Sequence, residues 1–187
     1  MFELPLQKRK SKMLITEEVI DKVPCTHILD NGGEIDKYIQ YLHKRLLYLS
    51  MKKNNSNEVG LLLNLNTMDY KIVYGNESLV SLSENKEVRL FLKNASVQSM
   101  MFMHNHPNNS NFSYADLASF ADNENLRVVT AIRNDGNIHV LQKGLNFNGQ
   151  LVAIEYNKWV NDNKGVQYIL QHCSKFDLDY KYGRCKK

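Results

Sequence analysis

The chain has no pair of cysteines at CxxC spacing. Its three cysteines, Cys25, Cys173 and Cys185, stand far apart, so neither a disulfide framework nor a thiolate zinc cluster is indicated, and a reducing cytoplasmic setting fits. It also has no apolar stretch near the roughly 18 residues of a membrane span, and its opening "MFELPLQKRKSKMLITEE" lacks the apolar core of a secretory signal. No internal repeat is found, and no stripe of Lys and Arg interleaved with aromatics, which argues against a nucleic-acid groove. The formal charge of +4 arises from 24 basic and 20 acidic residues. Much of that excess sits at the ends, in Lys8, Arg9, Lys10, Lys12, Lys181, Arg184, Lys186 and Lys187, which read as solvated tails around a nearly neutral middle.

What is present is enough for a sizeable core: 187 residues, of which 43% are hydrophobic. In "EIDKYIQYLHKRLLYLS", Ile35, Tyr38, Ile39, Leu42, Leu46 and Leu49 fall on one helical face after a break at Gly32 and Gly33. "EVGLLLNLN" and "DYKIVYG" read as paired strands turning near Asn66 and Thr67, and "SLVSL" as a further strand-like stretch. "ENKEVRLFLKNA" has helical spacing at Val88, Leu90, Phe91 and Leu92. "VQSMMFMHN" is a continuous apolar run suited to a strand buried on both faces, with Met100, Met101 and Met103 as core filler. "SYADLASFADNE" opens on a capping serine and turns Leu117, Phe120 and Ala121 inward. "LRVVTAIR" and "NIHVLQK" form a hairpin through Asp-Gly, and two helices, in "GQLVAIEYNKWVND" and "GVQYILQHCSKF", close the chain. This order predicts an α/β or α+β fold with a mixed central sheet flanked by helices.

One segment carries chemistry. "HNHPNNSNFSYAD" starts where the buried strand ends and finishes in the next helix. His104 and His106 are two apart, so in an extended chain both imidazoles project to one face and can share an ion. Asp116 lies about one turn into the helix, where folding back brings its carboxylate to the same point. Two imidazoles and a carboxylate are a normal catalytic zinc set that leaves a fourth position for water. Ser113, three residues before Asp116, caps the helix or points into the site. Isolated HxH pairs are mostly loop histidines; the added Ser and Asp at helical spacing set this one apart. A base must come from elsewhere: Glu58, opening the strand "EVGLLLNLN", is the first candidate and Glu77 its competitor. His139 alternates along a strand and reads as a satisfied core or surface histidine. Tyr156 and Trp159 read as packing anchors. The contiguous "HNH" is not a nuclease finger, and a zinc nucleobase deaminase would need a PCxxC that is absent.

Taken together, Glu58 in "EVGLLLN", His104 and His106 in "HNHP", and Ser113 and Asp116 in "SYAD" resemble the signature of the JAB/MPN (JAMM) metalloprotease family. "HNHP" is similar in particular to its RadC-like and phage-associated branches. The resemblance covers residues 35 to 142. It implies a JAB/MPN-like domain over 34–145, with cytidine-deaminase-like layering, between an extension at 1–33 and a helical extension at 146–187. It also implies a zinc-dependent hydrolase of peptide or isopeptide bonds. Zinc would be held by His104, His106 and Asp116, the proton moved by Glu58, and the oxyanion held by Ser113. Peptides, ubiquitin-like tails and small amide conjugates would be the partners. Six residues separate His106 from Ser113, where the commonest form of the motif has seven. The rival expectation is a RadC-like or mobile-element binding module whose metal is structural or inactive.

Overall fold

The computed structural model describes residues 12–28, 33–108, 110–160 and 164–185; of the basic end residues, Lys8, Arg9, Lys10, Lys186 and Lys187 lie outside them, as does Gly32. The architecture is α+β, built on a six-stranded mixed sheet of order β2-β1-β3-β4-β5-β6. The strands are β1 (Val59–Asn64), β2 (Tyr70–Tyr74), β3 (Met100–His106), β4 (Leu126–Arg133), β5 (Ile138–Lys143) and β6 (Leu178–Gly183). Only β3 and β4 pair in parallel, joined by the crossover helix α4 (Tyr114–Asp122); the other neighbours are antiparallel.

The short α1 (Glu17–Asp21) and the long α2 (Gly33–Lys53) cover one face. There Ile39, Leu42 and Leu46 pack on Leu61, Met101, Met103 and Val140, as their helical spacing predicts. His43 is buried in the same interface and bonds Thr130 Oγ1 of β4 through Nε2 at 2.8 Å. Helices α3 (Lys86–Lys93), α4, α5 (Gly149–Lys158) and α6 (Lys164–Gln171) cover the other face. Here Val88, Phe120, Val152 and Ile169 join Leu62, Phe102, Val129 and Leu141 in a second core. Among the described residues no helix is long and apolar enough to cross a membrane.

Every residue of β3 is buried, because the strand is central and helices lie on both its faces; that is why its sequence is a run and not an alternation. The β4–β5 hairpin turns at Gly136 with φ of 84°, as its Asp-Gly pair predicts. Three details differ from the sequence expectation. "SLVSL" forms no strand: Asn76 Oδ1 accepts from the amides of Ser78 and Leu79 and curls the chain away from the sheet edge. A Cβ at Gly75 would meet Leu79 O at 2.2 Å, so this close return needs glycine. Leu90 is exposed rather than on the packed face of α3. Finally, the closing segment is not wholly helical. After a 3-10 turn at Cys173–Phe176 it adds β6 to the sheet, with Leu178 and Tyr180 packed against the core beside Leu141.

Candidate metal centre

His104 and His106 lie at the C-terminal end of β3, on the face covered by α3 to α6, and both are buried. His104 is held flat by Phe102, whose ring stacks on it at 5.1 Å. His104 Nδ1 is buried without a hydrogen-bond partner among the described residues. His106 is oriented differently: its Nδ1 lies 3.1 Å from Ser110 Oγ, which also donates to Asn108. The two Nε2 atoms face each other at 2.9 Å.

Asp116 reaches the same point from the first turn of α4. Its Oδ1 is 3.1 Å from His104 Nε2 and its Oδ2 is 3.4 Å from His106 Nε2. One ligand atom from each of the three residues lies within 4.8 Å of the others, so the group could hold a metal ion. Three ligands at zinc–nitrogen or zinc–oxygen distances in a tetrahedron stand about 3.3 Å apart, close to these separations. Burial by itself opposes the Asp116 charge, yet the two imidazoles overcome it and hold the carboxyl well below the usual carboxylate range. Burial likewise opposes a proton on His106, and the Asp116 and Glu58 carboxylates outweigh it, raising that pKa.

Ser113 caps α4 in the way its sequence position predicts, and it also grips the candidate ligand. Its amide and hydroxyl both donate to Asp116 Oδ2, at 2.6 and 2.7 Å, while its oxygen accepts from the Asp116 amide. The serine hydroxyl is thereby turned toward the aspartate, the geometry of a positioning group, and Oδ1 faces His104 without competition from the cap, while Oδ2 is shared between the cap and His106.

Glu58 precedes β1, two residues before Gly60, which pairs with His104 across the β1–β3 ladder. That register puts the Glu58 side chain on the histidine face. It is buried, and burial pushes its carboxyl upward, partly offset by His104, His106 and the Val80 backbone amide. Glu77, the competing candidate, is exposed and lies 3.9 Å from Lys12. Of the two, only Glu58 stands in the electrostatic field of the cluster.

Asn105, the residue between the two histidines, is given no role by the sequence pattern. It is fully buried on the opposite face and ties the strand end to three other segments. Its Oδ1 accepts from Val59 N at 2.7 Å, and its Nδ2 donates to Asn134 Oδ1 at 2.8 Å, Asn57 O at 3.1 Å and Ser50 Oγ at 3.2 Å. Asn134 passes the link on to Ser56 O and Met13 O. The available signal was an amide residue between two histidines just after an apolar run, since a buried amide demands partners. His139, read as a satisfied core or surface histidine, is buried; its Nδ1 bonds Tyr180 OH at 2.8 Å, while its Nε2 has no hydrogen-bond partner among the described residues. Burial chiefly, with Arg133 and His106, lowers its pKa to about 4. Tyr156 is buried and stacks on Tyr114, whereas Trp159 is half exposed against Tyr168.

No family model, curated protein or solved structure matches this chain.

Proposed function

We propose that this protein is a zinc-dependent hydrolase of amide bonds in peptides or isopeptide conjugates, with a site of the JAB/MPN type. The observation that carries the reading is the convergence of His104, His106 and Asp116 at the end of a buried strand, with Glu58 the buried carboxylate on the same face. A zinc ion in such a site supplies Lewis acidity, which acidifies a water to a pKa of about 7 and polarises a carbonyl.

The chain's own residues supply the rest. Glu58, its pKa raised by burial, is suited to take a proton from the attacking water and return one to the leaving amine. Ser113 fixes the Asp116 carboxylate, and Ser110 fixes the tautomer and tilt of His106. The donor set also weighs against the binding-module alternative. A purely structural zinc site is normally closed by four protein ligands, and among the described residues the group that converges has three.

The test is elemental analysis of untagged protein beside a His106→Ala variant. One zinc per chain in the parent and none in the variant supports the site and justifies assays on linear peptides and isopeptide-linked conjugates. A parent that takes up no metal when zinc is supplied overturns the reading.

A further inference from the structure

A cavity of about 320 Å³ opens beside the candidate metal centre, on the same face of the sheet. That volume is at the small end of the range for ligand pockets. Its floor is Phe102 and Val129; α3, α4 and the irregular segment at residues 79–83 form its walls. Three of its residues belong to the neighbourhood of the centre. Asp116 is the third candidate ligand, Phe102 stacks on His104, and Val80 supplies the backbone amide near Glu58.

Gly60 keeps this junction open. A Cβ there would stand 2.8 Å from the Phe102 ring and 3.0 Å from Val80, displacing two walls of the cavity at once. Most of the remaining lining is apolar, with Leu82, Leu92 and Phe120 prominent. At the rim is Arg89, an exposed residue of α3 whose guanidinium has no ion pair or hydrogen bond among the described residues. Its neighbour Glu87 is turned to Lys71 at 3.7 Å. An apolar chamber continuous with a metal ligand, with one unpaired planar cation at its mouth, matches an apolar side chain carried next to a carboxylate.

We infer that this cavity is the specificity pocket of the enzyme: it takes a bulky apolar side chain beside the scissile amide, and Arg89 pairs with a carboxylate of the same substrate. The inference rests on the hydrolase reading for the word substrate, but the pocket is tested separately from the metal.

The probes are N-acetyl-leucine, N-acetyl-glycine and N-acetyl-leucinamide, titrated into 15N-labelled protein with and without zinc. N-acetyl-leucine is expected to shift the backbone amides of Val80, Leu82, Ala115 and Ser119. N-acetyl-glycine should bind about 10-fold more weakly, for want of the buried side chain. The leucinamide should bind about 3-fold more weakly, the scale of an exposed ion pair. Arg89→Ala should erase the difference between acid and amide while sparing the preference for leucine over glycine. Ser119→Trp, on the exposed side of α4, should weaken N-acetyl-leucine about 10-fold with zinc content unchanged. Equal binding of all three probes, shifts confined to other surfaces, or no shift at tens of millimolar would overturn the pocket while leaving the metal reading intact. Selective binding in a protein that takes up no zinc would remove the hydrolase and leave a ligand pocket.

Discussion

Replacing Asn105 by alanine strands two buried groups. The Val59 N–H loses the acceptor it meets at 2.7 Å, and Asn134 Oδ1 loses the donor it meets at 2.8 Å. Asn57 O is not stranded, because Ser50 Oγ continues to donate to it at 2.6 Å. A buried polar group left without its partner costs about 1–3 kcal/mol, so the two together cost about 2–6 kcal/mol. That is a large part of the roughly 5–15 kcal/mol that holds a domain together. Urea unfolding in the presence of a chelator measures the loss without metal, and a constant slope with a lowered midpoint assigns it to the native contacts. Asn66→Ala, at an exposed turn position, is the control and should change stability by no more than about 0.5 kcal/mol. A loss below about 1 kcal/mol for Asn105→Ala would refute the claim that this side chain tethers the strand end.

Glu58→Gln should retain zinc while hydrolysis falls by about 10²- to 10⁴-fold; zinc content and turnover on one substrate measure both, and a fully active variant would remove Glu58 as the base. Ser113→Ala should lower stability by about 1 kcal/mol through the lost cap and weaken zinc at least about 10-fold through the freed Asp116 carboxylate, measured by chelator competition. Unchanged zinc affinity with a large fall in rate would instead give the hydroxyl an oxyanion role. His43 has a folded pKa of about 4, lowered by burial from an ordinary 6.5. The unfolded chain therefore takes up a proton first as the pH falls, and up to about 3 kcal/mol of stability is lost between pH 6.5 and about 4. In His43→Gln the slope of stability against pH across that window should be shallower by up to one proton, and an unchanged slope would exclude His43 as its source.

The sheet centre and the His104, His106 and Asp116 cluster were legible because each is written in residues close in sequence. The first four of the seven buried positions of β3, Met100 to Met103, appear as an unbroken apolar run, and the Ser-x-x-Asp cap is a local hydrogen-bond pattern. What was not legible depends on contacts distant in sequence. What places Glu58 rather than Glu77 on the histidine face is the pairing of Gly60 with His104, which no local pattern states. β6 turns Leu178 and Tyr180 inward, with Asp179 between them, and leaves Tyr182 exposed, a pattern short enough to pass for a charged tail. "SLVSL" failed for the opposite reason. Its residues favour a strand, but one asparagine at its start turns the backbone first.

The mixed pairing of β3 also bears on the order in which the protein can be made. β1, the helix α2 and β3 leave the ribosome with both histidines already in sequence, yet the parallel partner β4 follows only after α4. Asn134, which accepts the Asn105 amide, comes later still. At about 5–20 residues per second the stretch from His106 to Asn134 takes about 1–6 seconds to make, and until then the two histidines lack the parallel partner of their strand. The geometry of the candidate centre therefore depends on residues made after both histidines and Asp116, and it is complete only once the hairpin beyond Arg133 has closed.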